Sequence, residues 1–356
     1  MDIAEKSFRI AVLGGDGIGP EVMEAALAVL KRASSAMPGV SFAFEEFSVG
    51  AGRYLRDGDP LPEETLAAAS ACDAILLGAM GLPEVRWPNG MEMTPQIDLR
   101  EKLDLYNGVR PIKLYHESHT PLRGYAAGDI DFVIVRENCE GLFSERLTPR
   151  PANDSYVTDT MRITRHGAER IARAAFTIAK ERKHHVTLAD KANVLPSMVF
   201  FRKVFDEVAT EFPEVRADHV YIDALAVLLL QKPESYDVIV TENMFGDIIS
   251  DLAAGLVGGM GMAPSADIGD QHAVFQPAHG TAPTIAGKNL ANPIGMILSV
   301  ALMLRWFEHP ETVRGAERIE QAVERVLGDP RNRTTDLGGT TGTREMGELV
   351  AAALED

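Results

Sequence analysis

Two acidic residues stand four positions apart in the stretch Thr241-Glu-Asn-Met-Phe-Gly-Asp-Ile-Ile-Ser-Asp251. The preceding run, Asp237-Val-Ile-Val240, predicts a buried strand, and Gly246 is expected to permit the turn from that strand into a helix. A helix places Asp247 and Asp251 on one face, where their charges repel each other. A hard divalent cation such as Mg²⁺ or Mn²⁺ would offset this repulsion. The alternative is a pair of acids favoured by the helix dipole alone.

Composition narrows the possible partners. The 356 residues have room for two domains, and 52 acidic against 35 basic residues give a net charge of −17. This charge argues against nucleic acid or an anionic membrane as a partner, so an anionic substrate would need a local basic pocket. Cys72 and Cys139 match neither a disulfide framework nor a zinc site, which predicts a reducing cytoplasm. We expect neither a signal peptide nor a membrane span, because no uncharged apolar run reaches eighteen residues.

Strand-like and helix-like segments alternate along the chain. Such alternation predicts an α/β fold with a mostly parallel, doubly wound sheet covered by helices. Residues 256–269, rich in Gly and Met, are predicted to be a loop or a broken helix, and the polar segment 147–160 a projecting arm. The predicted strands are 8–13, 40–47, 74–78, 131–136, 185–189 and 219–223, and the predicted helices are 63–71, 99–105, 167–182, 198–211, 296–307 and 313–327.

The glycine-rich loop after the first strand is not a Rossmann fingerprint. That motif needs glycines at its first, third and sixth positions, and counting from Gly15 the sixth position is Pro20. A proline is well suited to the first turn of a helix. We therefore interpret residues 14–22 as a turn that brings backbone close to a ligand.

Basic and acidic residues near the ends of apolar segments are candidates for a site. Arg100, Arg110 and Arg136 could converge to bind a carboxylate through forked hydrogen bonds, or could be three unrelated surface residues. Lys191 follows a predicted strand and is either a base with a lowered pKa or a solvated lysine. Asp223 ends another predicted strand, where it adds a third carboxylate or caps a helix.

The segment 276–287, Gln-Pro-Ala-His-Gly-Thr-Ala-Pro-Thr-Ile-Ala-Gly, is a second candidate. Its small residues would let the backbone approach a planar or phosphorylated ligand. His279 is the best candidate in the chain for stacking on a base or contacting a ribose.

Together these strings resemble the isocitrate/isopropylmalate dehydrogenase family, including its tartrate/malate and homoisocitrate branches. They occur in the family's order over nearly the whole chain. The matching strings are Gly14-Gly-Asp-Gly-Ile-Gly-Pro-Glu-Val22, Leu99-Arg-Glu-Lys-Leu-Asp-Leu-Tyr106 with Val109-Arg-Pro111, Val135-Arg-Glu-Asn138, Asp190-Lys-Ala-Asn-Val194, 241–251, 279–287 with Ala291-Asn-Pro293, and Arg333-Thr-Thr-Asp-Leu-Gly-Gly339.

The resemblance implies a two-domain α/β fold that is not a Rossmann domain. Residues 1–105 and 259–356 would form a discontinuous cofactor-side domain, and 106–258 the dimerisation and metal–substrate domain. The arm near 147–160 would clasp a second subunit, giving a homodimer with shared active sites. The implied activity is NAD-dependent, metal-dependent oxidative decarboxylation of a 2-hydroxy acid of the 3-isopropylmalate, malate, tartrate or isocitrate class.

The family's roles fall on matching positions of this chain. Arg100, Arg110 and Arg136 would hold the substrate's carboxylate, and Thr94 and Gln96 would face the substituent on its third carbon. Asp247 and Asp251 would bind Mg²⁺ or Mn²⁺ with Asp223 of a second copy, and Lys191 of that copy would transfer a proton. The loop from His279 to Ile285, which includes Gly280, Thr281, Ala282 and Thr284, would bind the adenosine half of the cofactor together with Asn292. Gln276 would also face the cofactor.

Three departures from the family pattern bear on function. The tyrosine credited with protonating the enolate falls at Phe143, the cofactor-facing glutamate at Gln276, and the acid that selects NAD at Thr284. The loss at Phe143 leaves a non-catalytic regulatory or binding subunit as the alternative function. NAD remains the expected cofactor, because Thr284 and Ile285 offer no cation for a 2′-phosphate. The amide of Gln96 favours a small or polar substituent over an isopropyl group.

Overall fold

The computed structural model describes residues 5–148 and 155–354, which form one large sheet covered by helices. None of the helices in these two ranges has both the length and the apolar character that a membrane crossing requires. The strands are β1 Lys6–Gly15, β2 Val40–Glu46, β3 Ala74–Ala79, β4 Asn107–Lys113, β5 Asp131–Glu137, β6 His185–Asp190, β7 Arg216–Tyr221, β8 Val238–Thr241, β9 Pro264–Ile268 and β10 Ala273–Pro277. The helices are α1 Gly19–Ser34, α2 Ala51–Asp57, α3 Glu63–Ser70, α4 Pro95–Lys102, α5 Arg165–Lys180, α6 Pro196–Ala209, α7 Ile222–Gln231, α8 Asn243–Gly255, α9 Ile294–Trp306, α10 Pro310–Gly328 and α11 Thr343–Ala352.

The sheet has the strand order β2-β1-β3-β10-β9-β4-β5-β8-β6-β7. Both outer parts are parallel, whereas the pairs β10–β9, β9–β4 and β4–β5 at the centre are antiparallel. The predicted mostly parallel α/β architecture is therefore confirmed, whereas the antiparallel pairs at its centre were not predicted. Because β4, β5 and β9 are central neighbours, side chains from distant parts of the sequence meet there.

Each half of the sheet has its own hydrophobic cores on both faces. Around β1, β3 and β10, helices α1, α9, α10 and α11 cover one face, and α3 and α4 the other. Around β5, β6 and β8, helices α5 and α6 cover one face, and α7 and α8 the other. These separate cores support the proposed division into 1–105 plus 259–356 and 106–258, which stays a prediction.

Several element predictions were wrong. The helix predicted at 99–105 is α4, which begins and ends earlier, and the segment 256–269, predicted to be a loop or a broken helix, contains β9. The sequence analysis missed β4, because a proline inside a run argues against a strand. Pro111 is tolerated there because β9 pairs only with 107–109, so that Pro111 lies where β4 has β5 as its neighbour.

The predicted arm is only partly described. Residues 149–154 lie outside the described ranges. On either side, Gly141 and Arg162 form an isolated antiparallel bridge, so the chain leaves and returns at one place. Beyond the bridge, the side chains of Tyr156 and Val157 are 69% and 77% exposed. Two exposed apolar side chains are consistent with a partner surface, and the clasping role stays a prediction.

Helix α8 forms as predicted, but for a different local reason. Its N-terminus is capped by the Glu242 carboxylate, which accepts hydrogen bonds from the backbone N–H groups of Met244 and Phe245. Gly246 lies inside the helix and makes no turn. A Cβ at Gly246 would lie 2.6 Å from Cγ of Arg136, so the glycine is required for close packing against that buried arginine.

We predict that Gly246→Ala destabilises the protein by about 1–3 kcal/mol, because the added methyl displaces the Arg136 side chain. Gly255→Ala is the matched control, since it adds the same methyl to the same helix where no atom lies within 4 Å. The control should be neutral or stabilising by up to about 1 kcal/mol. Urea unfolding of both variants measures the difference, and equal stabilities would contradict this role for Gly246.

Candidate active site

A cleft of about 270 Å³ opens at the centre of the sheet, where the two halves meet. It gathers most of the residues that the sequence analysis assigned to substrate and metal, together with part of the predicted cofactor loop. The predicted residues that line it are Gln96, Arg100, Arg110, Arg136, Phe143, Asp247, Asp251, Gln276, His279 and Gly280.

Two of the cleft arginines, Arg100 from α4 and Arg110 from β4, share one buried carboxylate. Asp267 on β9 has no solvent exposure, and it accepts hydrogen bonds from Nε of Arg100 at 2.8 Å and from Nη2 of Arg110 at 2.9 Å. Burial alone would raise the pKa of Asp267, but the two guanidinium charges and their hydrogen bonds hold it well below its usual value. Asp267 is therefore ionised and fixes both arginines in place.

Asp267 is not among the predicted site residues, because the pattern of the segment that contains it predicts a loop or a broken helix. Two amides complete its surroundings. Nδ2 of Asn138 donates to it at 2.9 Å, and Nε2 of Gln276 donates at 2.6 Å. The carboxylate thus joins the substrate-side arginines to Gln276 at the predicted cofactor side.

The third cleft arginine, Arg136 from β5, is held by a separate set of contacts. Its Nε and Nη2 donate to Oδ1 of Asn243 at 3.0 and 2.7 Å, and its Nη1 pairs with Asp247. The ring of Phe143 lies 5.6 Å from the guanidinium carbon. Burial, and to a smaller extent the positive charge of Arg100, lowers the pKa of Arg136 to about 10. Arg136 therefore remains charged at neutral pH. The positive charges of the cleft arginines repel one another, and an anion bound between them would offset this repulsion.

Asp247 and Asp251 lie together at the mouth of the cleft, as their spacing predicted. Desolvation by the cleft walls, followed by the charge of Asp247, raises the pKa of Asp251. Two neighbouring carboxylates that repel each other fit a hard divalent cation. They do not complete its ligand set, because no group of three or more His, Cys, Asp or Glu suited to a metal occurs within 5–148 and 155–354.

An apolar hollow of about 470 Å³ adjoins the cleft, and His279 and Gly280 line both. The hollow includes Ile18 from the loop after β1, and its remaining predicted residues are Ala282, Ile285 and Asn292. The two glycine-bearing loops contact each other here, since the N–H of Ile18 donates to the carbonyl of Thr281 at 2.8 Å, and their predicted approach to a ligand stays a prediction. A flat apolar hollow beside a polar cleft suits the planar rings of a nicotinamide cofactor.

His279 has one ring nitrogen free at the junction of cleft and hollow. Its Nδ1 lies 2.8 Å from the carbonyl oxygen of Gly280, and because a carbonyl only accepts, Nδ1 carries the hydrogen. Nε2 is buried and has no partner. Burial lowers the pKa of His279, so the ring is neutral and Nε2 can accept a hydrogen bond from a ligand hydroxyl or amino group.

Lys191 and Asp223 lie outside the cleft, although they are close to each other. Nζ of Lys191 donates to Oδ1 of Asp223 at 2.6 Å, and neither residue lines the cleft. Asp223 does not end a strand as predicted; it lies in the first turn of α7, immediately after β7. Their assignment to a partner's active site stays a prediction.

Three other predicted residues line neither the cleft nor the hollow. Thr94 precedes α4, Thr281 is buried, and Thr284 is exposed, with its carbonyl accepting from Nζ of Lys288 at 2.8 Å. Their contacts with substrate or cofactor stay predictions. Met93, which precedes Thr94, is fully buried in a small core with Ala51 and Val85.

Comparison with known proteins gives one consistent result. Residues 9–350 match the family model described as isocitrate/isopropylmalate dehydrogenase. The chain is 40% identical to a 3-isopropylmalate dehydrogenase of Aquifex aeolicus, over 98% of both chains. It is 43% identical to a 3-isopropylmalate/3-methylmalate dehydrogenase of Methanocaldococcus jannaschii, over 98% of this chain and 99% of the other. Among solved structures, isocitrate dehydrogenase from Methylococcus capsulatus superposes with a TM-score of 0.88 at 35% identity, covering 98% of this chain and 100% of that one.

Proposed function

Because the chain belongs to the isocitrate/isopropylmalate dehydrogenase family, we propose that it catalyses the NAD-dependent, metal-dependent oxidative decarboxylation of a 3-substituted malate. The observation that carries this proposal is the cleft itself. It joins three arginines and the pair Asp247 and Asp251 to the apolar hollow through His279 and Gly280.

The charges of the cleft suit a dianion bound beside a divalent cation. The three cleft arginines are balanced by Asp247, Asp251 and Asp267, so a bound cation would leave two positive charges for the two carboxylates of a malate. Arg100, Arg110 and Arg136 would orient these carboxylates. Asp247 and Asp251 would hold the cation, which would polarise the 2-oxo group, and the hollow would hold the adenosine half of the cofactor, so that its nicotinamide would accept the hydride on the cleft side.

The proton donor of the family pattern falls at Phe143, and two hydroxyls in or beside the cleft are already engaged. Phe143 carries no exchangeable proton, and the hydroxyl of Ser144 already donates to the carbonyl of Gly141 at 3.1 Å. Ser250 lines the cleft, but its hydroxyl donates to the carbonyl of Asp247 at 3.0 Å. We therefore assign proton transfer to Lys191 of a second copy, with Asp223 of that copy as the further metal ligand.

A homodimer is proposed from the surface of α7 and its neighbours. Apart from Asp223 and Gln231 every residue of α7 is apolar, yet only Leu225 and Leu229 are buried. A helix that is apolar on all sides is normally covered on all sides. Five large apolar side chains on or beside α6, α7 and α8 are about half exposed or more. They are Val194, Val199, Val227, Leu230 and Ile248. A second copy seated on this surface would bring an Asp223 close to helix α8.

NAD is the proposed nicotinamide cofactor. The residues that line the apolar hollow include no lysine or arginine, and Asp336 contributes a carboxylate there. Asp336 also accepts a hydrogen bond from Nδ2 of Asn292 at 3.1 Å, which fixes its position. A 2′-phosphate would meet this negative charge without a cation to bind it.

Gln96 supports a small polar substituent on the substrate's third carbon. Its side-chain oxygen lies at the cleft, is buried and has no hydrogen-bond partner. A hydroxyl group, as in tartrate, would satisfy it. An isopropyl group would leave it unpaired at a cost of about 1–3 kcal/mol, and a third carboxylate would place oxygen against oxygen. Malate leaves room for a water molecule in the same place.

The net charge of the chain and its two cysteines bear on its partners and on its location in the cell. The net charge of −17 disfavours nucleic acid and anionic membranes as partners. Cys72 and Cys139 are both free thiols, which supports the cytoplasm as the proposed location.

The alternative is a non-catalytic subunit, motivated by Phe143. It is less favoured, because a silent subunit has no need for a balanced set of arginines and acids around an open cleft. Activity that appeared only with a tyrosine-bearing relative would support this alternative.

The proposed activity is tested by NADH formation with Mn²⁺ and a panel of racemic malate, tartrate, 3-isopropylmalate and isocitrate. We expect turnover with at least one of them, and kcat/KM about tenfold or more higher with NAD than with NADP. We also expect malate or tartrate to exceed 3-isopropylmalate by about tenfold or more, because of Gln96. No turnover with any of the four would contradict the proposed function, and a strong preference for 3-isopropylmalate would contradict the reading of Gln96.

Phe143→Tyr should raise kcat on the best substrate, because a phenol at this position could protonate the enolate. General acids contribute about 10²–10⁴-fold, and part of this gain is expected. The solvent deuterium isotope effect on kcat should fall in the variant. Phe143→Leu is the control, since it removes the ring beside Arg136 without adding a hydroxyl, and it should raise nothing. An unchanged isotope effect in the tyrosine variant would show that the phenyl ring only fills space.

A further inference from the structure

The hydrogen-bonding pattern around Asp267 requires a carboxylate. Oδ1 accepts from Nη2 of Arg110 and Nδ2 of Asn138, and Oδ2 accepts from Nε of Arg100 and Nε2 of Gln276. All four groups are donors, and each oxygen receives two of them. An amide in this position would turn a donor of its own towards two of these donors.

The partner at position 276 has the opposite requirement. Nε2 of Gln276 lies 2.6 Å from the Asp267 carboxylate, on the neighbouring antiparallel strand. A glutamate, which the family pattern has at position 276, would put a second carboxylate against the first. Two carboxylates at this distance cannot both ionise without a large cost. The negative charge of this network therefore belongs on β9 in this chain and cannot simply be added on β10.

We propose that Asp267 is a positioning residue that supplies the fixed negative charge of the active site in place of an acid at position 276. Through Arg100 and Arg110 it orients the groups that bind substrate, and through Gln276 it orients the cofactor side. It touches neither substrate nor cofactor itself. This proposal rests on the proposed function for its kinetic tests, whereas its stability test is independent of any activity.

Three variants test two separate questions: whether the network needs a negative charge, and whether that charge must be on β9. Asp267→Asn removes the charge, Gln276→Glu adds a second carboxylate, and the double variant moves the charge from β9 to β10. Asp270→Asn is the matched control, because it removes an exposed carboxylate three residues further along that accepts from the hydroxyl of Tyr106 at 3.3 Å.

The kinetic expectation is a loss followed by a rescue. Asp267→Asn should lower kcat/KM about 10- to 100-fold, with a rise in KM for both substrate and NAD, because both sides of the network lose their orientation. The double variant should regain about tenfold or more over Asp267→Asn. The control should remain within about twofold of the parent.

The stability expectation follows from the pKa of a shared proton. In Gln276→Glu the two carboxylates retain one proton in the folded state, so their folded-state pKa lies above the unfolded value near 4.3. The shared proton therefore stabilises the folded state at a pH below the unfolded-state pKa. This stabilisation is lost as the pH rises through the folded-state pKa. The unfolding midpoint of Gln276→Glu should therefore fall relative to the parent between about pH 5 and about pH 8, and that of the double variant should not.

Rescue in the double variant together with the pH-dependent loss in Gln276→Glu would establish the proposal. It is overturned if the double variant is no better than Asp267→Asn in kcat/KM, or if Gln276→Glu shows no pH-dependent loss of stability. If Asp267→Asn fails to fold, the pH profiles of Gln276→Glu and the double variant decide the question. If the parent turns over no substrate on the panel, the proposed function fails, and these same stability profiles still test Asp267.

Discussion

The buried ion cluster around Asp267 is the interaction on which the rest of the site depends. Arginines cannot be gathered in a cleft without counter-charge, because desolvation and mutual repulsion would drive them apart. Asp267 has no exposure to water and holds Arg100 and Arg110, while Asp247 pairs with Arg136. The antiparallel centre of the sheet makes this possible, since β9, β4 and β5 lie side by side there although they are far apart in sequence.

The parts of this arrangement that could be predicted from sequence are those with a local pattern. The buried strand β8 and the four-residue spacing on α8 placed Asp247 and Asp251 together, and the positions of the arginines at the ends of apolar segments indicated a basic pocket. Asp267 could not be found in this way. It stands in a short strand that follows a run of Gly and Met, and its partners come from four other segments of the chain.

Gly246 and Asp223 show how a local pattern gives the wrong reason or the wrong element. Gly246 was predicted to be a turn residue, but it lies inside a helix, and the buried Arg136 leaves no room for a larger side chain there. Asp223 follows an alternating run that continues the appearance of a strand, although the apolar residues after it belong to α7. Both outcomes depend on tertiary neighbours, which no pattern along the chain contains.

We propose that one chain holds only part of a metal and dianion site, which Lys191 and Asp223 of a second copy would complete. The most direct measurement mixes two impaired variants, Asp223→Asn and Asp251→Asn, under conditions in which light scattering shows dimers and an affinity tag on one variant shows that mixed dimers form. Each mixed dimer would contain one intact site, so the mixture should recover about a quarter of the parent's activity. Mixing Asp247→Asn with Asp251→Asn, which damage the same side of the site, should recover nothing. Mixed dimers of the first pair that form and remain inactive would contradict the claim.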